Sequence, residues 1–180
     1  EMPEDLGGQM EGFQLWVNLP AKLKMNPPRY QEIKAGKIPW LNPEKGVAVR
    51  LIAGKYANTT GPVTEIAVEP LYMDVAVDSG NSFTYQLTEN HNAFLYVFRG
   101  EGEFCGVRTQ ATKLLVLGKG DSVSVKAGLL GTRFLLVAGK PLEEPIVRYG
   151  PIVMNTVEEI KQTLREIRDG DEVVGAYSIG

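Results

Sequence analysis

Across 180 residues, a net charge of −3 and scattered Lys and Arg exclude the concentrated basic stripe that a nucleic-acid backbone requires. A single cysteine, Cys105, excludes an internal disulfide and favours a reducing compartment. No apolar run is long enough to span a bilayer and no charged-then-apolar leader is present, so a cytoplasmic location is expected.

The first residues, Glu1-Met-Pro-Glu-Asp-Leu-Gly-Gly8, read as an interior loop rather than a fresh terminus. Next, Phe13, Leu15, Val17 and Leu19 alternate with Gln14, Trp16 and Asn18, the period of a strand with two unlike faces. Pro20 ends it. Ala21–Arg29 is polar and closes on Pro27-Pro28, and residues 21–44 read as a linker, with Trp40 expected to anchor it on a barrel.

From Val47 onward short strands are predicted in quick succession. They are Val47–Ala53, Val63–Val68, Leu71–Val77, Ser82–Leu87, Ala93–Arg99, Gly102–Val107, Leu114–Leu117, Ser122–Lys126 and Arg133–Val137. Turn dipeptides such as Ser79-Gly80, Arg99-Gly100 and Lys119-Gly120 separate them, in a chain with 20 Gly and 11 Pro. Short strands, glycine turns and no intervening helices predict an all-β sandwich or barrel. One helix is predicted over residues 156–168, opened by the capping box Thr156…Glu159 and stopped by Gly170. Its Val157, Ile160, Leu164 and Ile167 share a face, and Glu158, Glu159, Arg165 and Arg168 suit its dipole. That stripe needs a covering surface, and a barrel is the expected one. The tail from Gly175 has no assignable role.

Two stretches carry a family resemblance. One is Gly12-Phe-Gln-Leu-Trp-Val-Asn-Leu-Pro20 with Met25-Asn-Pro-Pro-Arg-Tyr-Gln31; the other is Tyr149-Gly-Pro-Ile-Val-Met-Asn-Thr-Val-Glu-Glu-Ile160. Together they resemble the pirin family, iron-binding proteins built from two cupin barrels. The likeness runs from Glu1 to about Gly170, and Ile152 stands where family members generally have Phe. It implies the jelly-roll-like double-stranded β-helix of a cupin, with one C-terminal helix. It also implies an organisation: residues 1–20 finish a first barrel, 21–44 link, 45–150 form a second, metal-free barrel, and 151–180 carry the helix.

Cupins hold metal with two His one residue apart, a Glu soon after, and a third His beyond a Pro-x-Gly turn. Three imidazoles and a carboxylate leave open positions on the ion for substrate and dioxygen. His91, the only histidine, falls where the first motif would start, in Glu89-Asn-His-Asn-Ala-Phe-Leu-Tyr-Val-Phe-Arg-Gly100. The partner slot holds Ala93, and Val97 and Phe98 occupy the region of the Glu. In the second motif Lys126 takes the Pro slot and Gly131 the His slot. One neutral imidazole does not hold a catalytic iron, so His91 is expected as a strand-start residue at a barrel rim.

The resemblance places the metal in the first barrel instead. There Glu1-Met-Pro3 matches the end of a His-Ser-Glu element, which makes Glu1 a metal ligand whose partners lie outside this sequence. It implies Fe(II) in the complete protein and none bound by this chain alone. The implied activity is that of a quercetin 2,3-dioxygenase acting on a flavonol, with this chain inactive by itself. The alternative it implies is an iron-responsive regulator that binds a transcription factor or metabolic enzyme through the second barrel and the helix. Strand 13–19 would then need a first-barrel half or a homodimer mate as its neighbour.

Other candidates read plainly. Cys105 is expected as a small packed strand residue with no base partner but His91. Gly100-Glu-Gly102 and Gly118-Lys-Gly120 are expected as hairpin turns, since neither has the Lys-Ser/Thr of a phosphate loop. Glu143-Glu144 is expected as a solvated loop rather than an acid pair, and Trp16 and Trp40 as core or interdomain packing.

Overall fold

The computed structural model describes residues 12–169. Its architecture is a single antiparallel sheet folded over on itself. The strands are β1 (Trp40–Glu44), β2 (Val47–Ala53), β3 (Lys55–Tyr56), β4 (Thr59–Thr60), β5 (Leu71–Val77) and β6 (Ser82–Gln86). They continue with β7 (Asn92–Phe104), β8 (Val107–Gln110), β9 (Lys113–Val116), β10 (Ser122–Gly139), β11 (Val147–Tyr149) and β12 (Ile152–Met154), before the helix α1 (Val157–Asp169). The main sheet runs β1-β2-β5-β10-β7-β8, with β6 added to β10 and β9 to β7. β3-β4 and β11-β12 are separate hairpins.

Two long strands close the barrel. The first half of β10 pairs with β6 and with the end of β7; its second half pairs with β5 and with the start of β7. Between the halves the register jumps from Ala127 to Thr132, opposite Gly100. Gly100 and Gly131 both have positive φ, and a Cβ on Gly100 would lie 2.1 Å from the Gly131 carbonyl oxygen. Only glycine allows this close backbone crossing, which is a bulge that bends both strands at once. The fold-over brings Phe134 edge-on to Phe104 at 5.3 Å and near Phe83 at 6.0 Å, across the interior.

The core follows from period-two patterning. Along β2, Val47, Val49, Leu51 and Ala53 point inward; along β5, Leu71, Met73, Val75 and Val77 do the same. Leu95 and Val97 of β7 and Val123 and Val125 of β10 complete the lining. Each large apolar side chain taken fully out of water contributes roughly 1.5–3 kcal/mol, which makes this lumen the main source of stability.

The all-β class with one C-terminal helix is as expected, and several boundaries differ. Ala93–Arg99 with Gly102–Val107, and Ser122–Lys126 with Arg133–Val137, are not separate strands but pieces of β7 and β10. Gly100-Glu-Gly102 is therefore not a hairpin turn: it lies inside β7 at the bulge. Gly118-Lys-Gly120 joins β9 to β10, which do not pair with each other. Residues 40–44, read as the end of the linker, pair with β2. Val63–Val68 is no strand; only Val63 bridges to Ala53. Arg29 holds the Thr64 carbonyl at 2.7 Å and the Glu65 carbonyl at 3.2 Å and pairs with the Glu65 carboxylate, while Glu65 adopts positive φ. Positive φ at Glu65 breaks the extended run that a ladder needs. The strand expected over Phe13–Leu19 is not formed: the segment has no ladder partner among the described residues.

The capping box forms as read. The Glu159 N–H donates to Thr156 Oγ1 at 3.2 Å, and the Thr156 N–H donates to the Glu159 carboxylate at 2.7 Å. The helix packs on the β11-β12 hairpin rather than on the main sheet. Ile160 and Thr163 are buried there, whereas Val157 and Ile167 stay about half exposed, so the stripe is only partly covered.

Candidate functional site

The residues in the cupin metal slots sit where the sequence puts them, and their chemistry is inert. His91 lies in the turn before β7, half-buried, its N–H donating to the Thr88 carbonyl at 3.2 Å. Ala93 and Val97 point into the lumen and are buried, Phe98 points outward, and Lys126 is exposed. Gly131 has φ +68, so a histidine there would be strained as well as crowded against the Val77 carbonyl. Three stacked phenylalanines and a Val/Leu lining fill the space. The buried Thr132 hydroxyl donates to the Arg99 carbonyl at 3.2 Å. Among the described residues no three His, Cys, Asp or Glu side chains converge. The residues of this barrel do not fit an iron ion. Glu1, the ligand assigned by resemblance, lies outside the described residues.

Cys105 is not the packed residue expected. It is exposed, with φ +48, and with Gly106 at φ +83 it makes the two-residue turn joining β7 to β8. Positive φ at both positions is the geometry that matches strand twist in tight hairpins. Trp16 and Trp40 are both more than half exposed, so neither is core. Trp40 instead stacks under the Arg50 guanidinium at 5.6 Å.

Two motifs far apart in sequence meet in space. Lys24 Nζ donates to Asn18 Oδ1 at 2.6 Å and to the Val153 carbonyl at 3.0 Å. Glu144 accepts from the Ala21 N–H at 2.7 Å and from Asn155 Nδ2 at 3.1 Å; Asn155 also donates to the Pro145 carbonyl. The segment following residues 12–20 is thus clasped to the strap before β11 and to the start of α1. Glu144 is a clamp, not the solvated loop residue expected. Burial pulls the Lys24 ammonium below its ordinary pKa, against the opposing pull of Glu144 and Glu159. The backbone N–H of Thr156, then that of Asn155, holds the Glu159 carboxyl below the usual carboxylate range.

The outer face of the sheet carries the other polar cluster. Arg133 grips Asp74 with two hydrogen bonds, Nε to Oδ1 at 2.8 Å and Nη2 to Oδ2 at 2.5 Å, and lies over the Phe98 ring. Phe13 comes down on the same face, 4.9 Å from Phe98 and 5.7 Å from Tyr96. Burial, then the Asp74 charge, raises the pKa of Tyr72 beside this pair. Sequence patterning marked these positions as outward-facing; nothing in it marked Asp74 and Arg133 as partners.

A sheet folded over by two long bent strands around an apolar lumen is a cupin barrel. The chain belongs to the pirin family: the Pirin C-terminal cupin domain matches residues 72–172. It is 43% identical over 178 residues to a Pseudomonas aeruginosa protein provisionally named a quercetin 2,3-dioxygenase. It is 42% identical over 171 residues to a pirin-like protein of Caulobacter vibrioides. Each alignment covers 94% of this chain and 62% of the relative, so the chain spans about three fifths of the relatives' length. A crystal structure of a quercetin 2,3-dioxygenase from Acinetobacter baumannii superimposes with a TM-score of 0.81 at 33% identity, over 88% of this chain and 56% of that one.

Proposed function

We propose that this chain supplies the second, structural barrel of a two-barrel pirin that in complete form is an iron-dependent oxidoreductase of the quercetin 2,3-dioxygenase type. The observation that carries the reading is the contrast between family membership and the apolar lumen. The chain aligns with relatives bearing the dioxygenase name, yet every slot that would hold Fe(II) is Ala, Val, Phe or Gly apart from a rim histidine. The metal and the flavonol therefore belong to a barrel preceding this one, with Glu1 as a ligand there. In this chain Asn18, Lys24, Glu144 and Asn155 fix the segment that joins the two. The expected result is no quercetin turnover by this polypeptide alone in the presence of added Fe(II). Turnover above the rate of free iron would overturn the proposal.

One observation favours a second reading, an iron-responsive regulator that works by binding proteins. Besides the half-covered face of α1, Leu129 and Leu130 stand 88% and 82% exposed at the β10 bulge. Under that reading a protein partner is recovered stoichiometrically in a pull-down and lost when both leucines become Ser. Segment 13–19, without a ladder partner among the described residues, also needs a neighbour, either the preceding barrel or a second copy of this chain. Light scattering that finds only monomer, with residues 13–19 rapidly exchanging their amide protons, would contradict the homodimer.

A further inference from the structure

The outer face of the sheet holds a cleft of about 210 Å³, walled by Phe13 and Phe98 and floored by Ile52 and Leu135. Arg50 stands at its side. The register sets Arg50 of β2 directly across from Asp74 of β5, which would be its natural counter-ion. Asp74, however, has both oxygens engaged by Arg133. Arg50 is left with the Trp40 ring and one long hydrogen bond to the Ala35 carbonyl, 3.4 Å from Nη2. Its Nε is buried and has no hydrogen-bond partner. A guanidinium offers five donors in a fixed fork, and among the described residues only one of them, on Nη2, has a hydrogen-bond partner. The cleft therefore joins an under-satisfied cation to aromatic and aliphatic walls.

We propose that this cleft is a seat for a small aromatic carboxylate. The carboxylate accepts from the edge of the Arg50 guanidinium that lines the cleft, and the ring lies among Phe13, Phe98, Ile52 and Leu135. The size agrees: drug-sized ligands occupy pockets of roughly 300–1,000 Å³, and a cleft below that range suits a single ring. The sign agrees too, since an anion near Arg50 completes the alternation of charge along the row Arg50, Asp74, Arg133. The site lies on the outside of the barrel, away from the cupin metal slots, and does not depend on the dioxygenase reading.

The test uses the 180-residue chain and benzoate as the probe, followed by methyl NMR. The Ile52 and Leu135 methyl signals should shift and saturate, with a dissociation constant on the order of 1 mM, as suits a fragment of this size. Arg50→Met keeps the aliphatic stem and removes the donors, and should weaken binding about tenfold or more. Benzyl alcohol, the neutral counterpart, should bind wild type about tenfold more weakly than benzoate. Shifts that rise linearly without saturating would overturn the proposal. So would equal binding of benzoate to wild type and Arg50→Met, or equal binding of benzoate and benzyl alcohol to wild type.

Discussion

The two faces of one strand show how this domain divides its labour. In the second half of β10, Phe134 and Leu136 point into the lumen and meet only apolar neighbours, whereas Arg133 points outward into an ion pair with Asp74. A cupin barrel that binds metal places its reactive groups inside; here the inside is packed solid and the polar chemistry lies outside and at the joint with the preceding segment. Filling the lumen exchanges a site for stability. The difference teaches that the position of a residue in the cupin pattern identifies the fold, while its side chain identifies the role.

The comparison breaks most sharply at the lumen. Phe134→Ala removes the ring at the centre of the aromatic stack and should cost about 3–5 kcal/mol, read as a lower urea midpoint with an unchanged slope. The outer face should be softer. Asp74→Ala leaves the Arg133 guanidinium partly buried without its carboxylate and should cost about 1–3 kcal/mol; a loss equal to that of Phe134→Ala would erase the distinction between the faces. At the helix, Thr156→Ala removes the side-chain half of the capping box and should cost about 1 kcal/mol.

The smallest effect is one of pH. The Glu159 carboxyl is held below its ordinary pKa of 4.5 in the folded chain. A depressed carboxylate contributes stability that is present above the unfolded pKa and lost as pH falls through the folded one. The wild type should therefore lose stability on acidification below about pH 4.5 more steeply than Glu159→Gln, measured as the difference in urea midpoints across pH 3 to 6. Parallel curves would mean that the capping-box carboxylate adds nothing to stability.

What could be read in advance followed local chemistry. β2 and β5 were legible to the residue because Val, Leu, Met or Ala recurs at every second position, the period of a strand with one buried face. The Thr156…Glu159 box marked the helix start for the same reason. The continuity of β7 and β10 was not legible, because Gly100 and Gly131 give the same signal at a bulge as at a turn; only the partner strand distinguishes them. Cys105 escaped because Phe104-Cys-Gly-Val107 reads equally as strand or hairpin tip. Val63–Val68 failed because Glu65 adopts positive φ, which the alternation of residue types does not reveal. The side chains standing in the motif slots, Ala93, Val97, Phe98 and Gly131, could be read from the sequence, whereas the clasp of Asn18, Lys24, Glu144 and Asn155 and the pair Asp74–Arg133 could not. Those are contacts between distant residues whose types alone name no partner.

The central claim is that this barrel is built to stand without metal. Anaerobic equilibrium dialysis of the purified chain against Fe(II), followed by metal analysis, tests it directly. The account predicts iron at background, with no change in urea midpoint on adding the ion, since nothing that binds the folded state is present to stabilise it. Iron retained at one equivalent per chain, with a matching rise in stability, would contradict it.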